Sequence, residues 1–375
     1  MKKKKYQISF LPWIKFKEEY KIGPILFWPY YKMKDQKRID NKTINHLDKC
    51  FKQFIDRERK EVETITICTY NGKYFKILTN NENLLLKNSL NSLFFSTIIP
   101  QIIRKTRNRN YQFAIPNSDI FNMLICNFYP GDNSLAVQFE GVLDGGWKIG
   151  ELCFQKPVTT GYSYGEPNEE LIGIFDKFML NQSEIDSKRL FRCLEWFNYA
   201  HRSNSHSSPH AKILMMATAY EIFFNMHDSH KKKEILREKI NDLFLDEGIK
   251  TEVRKERKGI EVKEVKLNLA GWWANDFYNL RSKIVHGNEV ELKDLKYKDK
   301  ISYIDVADLI LWKSIILKSY DKGFIEKEKI DNENKIMKTL NALCPNNNTD
   351  QSIIRRKVLN LKYNFESIYK AIGWI

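Results

Sequence analysis

The chain has no cysteine framework. Its six cysteines, Cys50, Cys68, Cys126, Cys153, Cys193 and Cys344, are scattered through 375 residues without a CxxC pair. That excludes a disulfide scaffold and points to reduced, mostly buried thiols in a cytosol. Long apolar runs are missing too: the richest stretches, 92–103 and 309–317, fall short of the ~18 residues a membrane helix needs, and Pro100 interrupts the first. Lys2, Lys3, Lys4 and Lys5 imitate the start of a signal peptide, but Lys15 and Lys17 break the segment that follows and no small-residue cleavage site comes after it. The expectation is a cytoplasmic protein with no membrane partner. Acidic residues are in deficit, 47 against 62 lysines and arginines, for a net charge of +15. The excess is +8 over residues 1–180 and +7 over the remainder, so it is no basic tail; such a balance favours a polyanion, either nucleic acid or an anionic surface. Nor is there a GxxxxGK[ST] phosphate loop, and the glycine-containing segment 140–150 reads as a hairpin.

The length argues for two domains, and the pattern changes once. Up to about residue 154 the apolar runs are short and β-rich (EVETITICTY, YQFAI, NMLICNFY, LAVQFEGV), separated by NG, PGDN and DGG turn signals. Helical spacing interrupts them at 39–55 and 83–104. Residues 156–169 concentrate Gly, Pro and Thr. Beyond them apolar residues recur at three- and four-residue steps over 171–180, 186–199, 209–226, 231–246, 272–285 and 305–320. Residues 249–266 alternate charges without an apolar stripe and read as an exposed connector, and 331–375 looks helical after Pro345. The expected fold is therefore α+β: a β-rich domain over 1–170 that recognises or senses something, then an all-α domain over 171–375.

The sharpest local signal is DFYNLRSKIVHGN, residues 276–288. Phe277, Leu280, Ile284 and Val285 form the buried stripe of a helix that Gly287 stops, and Arg281 and His286 interrupt that apolar neighbourhood. Five helical steps put Arg281 and His286 roughly 140° apart, so they do not share one face. The long guanidinium, or unwinding at Gly287, has to bring both to one phosphate.

Through this Arg-x4-His motif the helical half resembles a HEPN domain, specifically the Apea-like HEPN subgroup. An upstream helix, LFRCLEWFNY at 190–199, and a second over 211–225 containing Ala219-Tyr220-Glu221 precede the motif in the subgroup's order. The resemblance covers about 186–320 and does not reach 1–170. It implies a helical bundle that dimerises so that two motifs meet in a cleft, and a metal-independent endoribonuclease with no cofactor. RNA supplies its own nucleophile, the 2′-hydroxyl, so the protein needs only a proton-transfer group and a cation for the phosphorane. An imidazole, with its ordinary pKa of about 6.5, serves the first need, and a forked guanidinium the second. The implied products are a cyclic 2′,3′-phosphate and a 5′-hydroxyl, and the implied setting is a toxin or an anti-phage defence whose trigger, phage-derived or other, is sensed by the first domain. Glu221 stands where the subgroup carries a polar or acidic residue and would orient Arg281. Ser282 matches the subgroup as well.

Each of these residues also has a bland reading. His286 can cap the last carbonyls, Arg281 can pair with a buried carboxylate, Glu221 can face solvent and Asn288 can cap the turn instead of contacting phosphate. In that case the helical half is a non-catalytic RNA-, nucleotide- or protein-binding module. Outside the motif the densest basic stretch is Arg104, Lys105, Arg107 and Arg109 beside Tyr111, either a phosphate track with a stacking ring or a solvated helix end. Lys231 to Lys233 and 293–300 are weaker versions. His201, His206, His210, His227, Asp228 and His230 match no metal spacing, and no metal is expected.

Overall fold

The computed structural model describes residues 5–35, 39–62, 65–108, 117–129, 134–139, 142–150, 153–157, 164–203, 207–226, 229–245, 247–258, 261–298, 301–325 and 363–375. They form two compact units, one of Met1–Pro100 with Gln112–Ser208 and the other of Gln101–Tyr111 with Pro209–Ile375. Among the described residues no helix is long and apolar enough to cross a membrane.

The alternating runs of the first unit fold as β1 (Tyr6–Leu11), β2 (Lys15–Phe16), β3 (Tyr20–Ile22), β4 (Ile25–Pro29), β5 (Phe54–Ile55), β6 (Thr66–Tyr70), β7 (Leu124–Phe128), β8 (Ser134–Phe139), β9 (Val142–Lys148), β10 (Phe154–Gln155) and β11 (Tyr164–Gly165). Seven of them make one antiparallel sheet in the order β3-β4-β6-β1-β7-β8-β9. In β1, Ile8 to Leu11 are buried on both alternating faces, which requires cover on both sides of the sheet's centre. On one side α2 (Asn41–Phe51), which follows the short α1 (Tyr30–Asp35), brings Phe51 to within 5.0 Å of the Phe10 ring. Gly145 and Gly146, read as a turn signal, lie inside β9, and residues 140–141 lie outside the described residues.

Three helices complete this unit: α3 (Asn80–Arg107), whose residues 101–107 count with the second unit, α4 (Glu169–Leu180) and α5 (Ile185–Ala200). Pro100 sits inside α3 without breaking it. A proline cannot donate to the carbonyl four residues back, and that carbonyl, on Ser96, accepts instead from the Asn168 backbone at 2.8 Å. Asn168 in turn caps α4 through its side chain to the Leu171 N–H at 2.9 Å. Phe95 of α3 meets Phe175 of α4 at 5.8 Å and Phe197 of α5 at 4.7 Å. The end of α5 is tied to the 3-10 turn Ser118–Phe121 by Ser118 N–H to the His201 carbonyl, 2.9 Å, and Ser203 N–H to Asp119, 3.0 Å. These bonds place 171–200 with the sheet. The units part between Ser208 and Pro209, not at 170 where the periodicity changes.

The second unit contains α6 (Pro209–Phe223), α7 (Lys232–Leu243), β12 (Thr251–Lys258), β13 (Glu261–Asn268), α8 (Leu269–Val285), β14 (Lys296–Tyr297), β15 (Ile301–Ser302), α9 (Tyr303–Asp321) and α10 (Phe365–Ile372). Its centre is aromatic: Tyr220 of α6, Trp273 and Phe277 of α8 and Tyr303 of α9 stack or abut, and the Tyr220 hydroxyl donates to the Ala307 carbonyl at 2.5 Å. Asn268 caps α8, accepting from Gly271 N–H at 2.8 Å, while Asn241 of α7 holds Asn268 by two bonds of 2.9 Å. A Cβ on Gly271 would stand 3.0 Å from that of Asn241, so the glycine permits the close approach of α7 to α8.

Two expectations fail here. The helical half is not all-α, because the supposed connector is an antiparallel hairpin pairing Thr251↔Asn268 through Lys258↔Glu261. Its period-two charges are strand alternation, and on the helix-facing side Val265 and Leu267 are interspersed with charged residues that make ionic contacts. Arg237 of α7 grips both oxygens of Glu256 at 2.7 Å, and Arg254 pairs with Asp276 while lying 4.4 Å from the Trp272 ring. The buried stripe of α8 also ends early. Phe277 and Leu280 are buried, but Ile284 is half-buried and Val285 is 50% exposed.

Candidate functional site

The Arg-x4-His motif occupies the last turn of α8 and its exit. Gly287 has φ +71°, its N–H donates to the Ile284 carbonyl at 3.2 Å and Asn288 N–H to Lys283 at 3.0 Å. This is the Schellman closure, in which a glycine takes the left-handed conformation other residues avoid. His286 is the capping residue just before it and its side chain is exposed. Past the cap the chain is held by His210 of α6, whose Nε2 lies 2.8 Å from the Val290 carbonyl. A carbonyl only accepts, so this nitrogen carries the proton.

Arg281 points to α6. Its Nη2 is 3.5 Å from Glu221 Oε1, which also accepts from the Tyr278 hydroxyl at 2.8 Å, while Glu221 Oε2 accepts from Lys232 Nζ at 2.5 Å. The guanidinium lies 5.4 Å from the Tyr278 ring centre. Glu221 is 12% exposed and Arg281 29%. The Tyr278 hydroxyl is pushed well above the usual tyrosine range, first by burial and then by its hydrogen bond to the Glu221 carboxylate, with Arg281 pulling the other way.

Ser282 and Asn288 lie elsewhere, on an open cleft of about 570 Å³ also lined by Asn279, Lys283, Lys293, Lys296, Asp276 and Asp294. On an ideal helix Asp276, Asn279 and Lys283 project roughly opposite Arg281. The structure thus brings Glu221 and Arg281 together on one face of α8, Ser282 and Asn288 together on the other, and leaves His286 at the end of both. Neither Arg281 nor His286 lines the cleft. Asn288 takes both of its sequence readings, its backbone closing the cap and its side chain facing the cleft.

The basic stretch 104–109 is largely used internally. Lys105 pairs with Asp305 of α9 at 2.8 Å, and Arg107 Nη2 donates to the Tyr363 and Asn364 carbonyls at 3.3 and 3.2 Å. Arg104 is exposed, and Arg109 and Tyr111 lie outside the described residues. Among the described residues no three of His, Cys, Asp and Glu gather as a metal site requires; His206, His227 and Asp228 lie outside them.

Sequence reasoning missed Tyr278 and Lys283, and it took Lys232, Lys293 and Lys296 only as weak basic stretches and His210 only as a rejected metal ligand. Tyr278 was findable, one helical turn before Arg281 and so on its face. The contacts of Lys232 and His210 are with other elements and had no local signal. Comparison with known proteins gives no match: no family model, no curated protein and no solved structure is similar enough to assign a family.

Proposed function

We propose that this protein is a metal-independent endoribonuclease of the HEPN type, with Arg281 and His286 as its catalytic pair and Glu221 as the residue that orients Arg281. The observation that carries the reading is the state of Arg281, a guanidinium paired with a largely covered carboxylate yet still partly open, five residues before an exposed imidazole at a glycine-closed helix end. The 2′-hydroxyl attacks the adjacent phosphorus as His286 takes its proton, the Arg281 fork stabilises the charge on the phosphorane oxygens, and the P–O5′ bond breaks with a proton returned to the leaving 5′-oxygen, giving the cyclic 2′,3′-phosphate and a 5′-hydroxyl. Lys283, Lys293 and Lys296, with Ser282 and Asn288, offer flanking phosphates a positive, hydrogen-bonding track. A homodimer that joins two such motifs, a cytoplasmic toxin or anti-phage role and a trigger read by the first unit belong to the same proposal. The test is cleavage of RNA by the purified full chain in EDTA. Cyclic 2′,3′-phosphate ends are expected, and His286→Ala lowers the rate by about 10²- to 10⁴-fold with an unchanged melting temperature. A folded His286→Ala protein that cuts as well as wild type, or cutting that needs a divalent ion, overturns the mechanism.

One observation favours a second reading. Glu221 takes donors from Tyr278, Lys232 and Arg281 together, as a carboxylate does when it knits three helices. In a non-catalytic RNA-binding or protein-interaction module these residues hold the bundle, and wild type would bind RNA without cutting it.

A further inference from the structure

In the first unit a cavity of about 530 Å³ lies between two helical stripes with the same spacing. Asn80, Asn83, Leu84 and Lys87 of α3 and Glu195, Asn198, Tyr199 and Arg202 at the end of α5 each recur at steps of three, one and three residues, which puts each set on one face. The cavity is the size of a small-molecule site, and its lining is mixed. Leu84, Leu90, Phe121 and Ile125 supply apolar surface among the amides and charges.

Two polar atoms in these walls lack partners. Asn91 is only 4% exposed and gives its Oδ1 to Asn198 at 3.1 Å, yet its Nδ2 has no hydrogen-bond partner; the buried Oδ1 of Asn83 has none either. A buried amide group left unpaired costs stability that a ligand can return. The orphan donor and the orphan acceptor stand eight residues apart on α3, a rise of about 12 Å, and so suit two separate polar groups of one ligand such as a nucleotide, whose base edge offers both acceptors and donors. Two cations flank the same Tyr199 ring, Arg202 at 5.1 Å and Lys87 at 6.0 Å, and Glu195 takes the Lys87 ammonium and the Tyr199 hydroxyl. Lys87 and Arg202 against Glu195 leave one net positive charge.

We propose that this cavity is a nucleotide site: the base lies against the apolar side chains with its edge on Asn91, Asn83 accepts from a second donor of the nucleotide, Glu195 accepts from ribose hydroxyls and Lys87 with Arg202 meets the phosphate. The site is independent of the motif on α8, and its ligand does not have to be cut.

The probes are AMP, GMP, CMP and UMP, each titrated into the full-length protein and followed by equilibrium dialysis and thermal shift. At least one binds with a dissociation constant below about 1 mM, and its nucleoside binds about 10- to 100-fold more weakly for want of the charge-assisted bonds. Lys87→Met, at an exposed position that leaves the fold intact, weakens the nucleotide but not the nucleoside, and Asn91→Leu weakens both by about tenfold. Arg281→Ala with His286→Ala binds as wild type does. Failure of all four nucleotides to bind, indifference to Lys87→Met and Asn91→Leu, or loss of binding in the Arg281 and His286 variant each overturns the proposal. None of these measurements depends on RNA cleavage.

Discussion

The second unit contains two charged clusters built from the same parts, a carboxylate, a cation and a tyrosine hydroxyl. At Glu221 they are ajar. At Glu247 they are sealed: Lys313 is 2% exposed and Glu247 1%, Lys313 donates to Glu247 and Tyr369, and the Tyr369 hydroxyl donates to the same Glu247 oxygen. The other oxygen of Glu247 has no hydrogen-bond partner. The Lys313 ammonium lies 4.1 Å from the Phe244 ring and 4.9 Å from Phe365, so charge and rings together fix α10 against α9. The difference teaches that composition does not make a site. A sealed cluster spends its charge on itself, and one left ajar keeps some for a visitor.

The comparison breaks hardest at Lys313. Lys313→Met leaves Glu247 buried with no counter-charge, and urea unfolding should register a loss of about 3–5 kcal/mol. Adding Glu247→Gln should restore much of it, since the uncompensated charge rather than the missing ion pair carries the cost. A single variant within about 1 kcal/mol of wild type would mean the sealed cluster is no more structural than an ordinary surface pair.

At the open cluster the expected effect is on rate. Arg281→Lys keeps the charge but loses the fork, so RNA cleavage should drop on the order of 10- to 100-fold with little change in the unfolding midpoint. A large drop in stability with unchanged cleavage would make the two clusters alike.

The smallest effect is alkaline. Burial and the Glu221 carboxylate raise Tyr278, burial raises Tyr303, and burial pushes Tyr297 up to about 12. The folded state holds these protons more tightly than the unfolded chain, where tyrosine titrates near 10. Their stabilisation is complete below about pH 10 and declines as pH climbs from there toward the folded values. Melting temperatures measured from pH 8 to 12 should fall above about 10, and Tyr278→Phe should fall less steeply. An identical slope would remove Tyr278 from the alkaline limb.

Much of the helical scaffold was legible because helix faces repeat within a few residues. Residues 305–320 against an observed α9 of Tyr303–Asp321, and 209–226 against an α6 of Pro209–Phe223, differ only at the ends. What failed depended on distant partners. Phe175 and Phe197 look like core residues of any unit, and only their contact with Phe95 assigns them to the first. The hairpin at 251–268 escaped because its inner face is partly ionic. At the site, Arg281 stands out by the local pattern and Glu221 through the HEPN resemblance, and the two side chains lie 3.5 Å apart. Lys105 and Arg107 stand out in the sequence by charge and by the aromatic beside them, which does not show that Lys105 also pairs with Asp305 and Arg107 with the carbonyls before α10 while both stay exposed.

Pro100 has a consequence in time as well as in space. Until residue 168 arrives, the Ser96 carbonyl has only water to bond, so α3 leaves the ribosome one rung short at its middle. The missing rung is supplied from 72 positions down the chain, and closing so wide a loop is slow compared with winding a helix. The two helices are thereby coupled through one ring: the ladder of α3 is complete only when the start of α4 is docked.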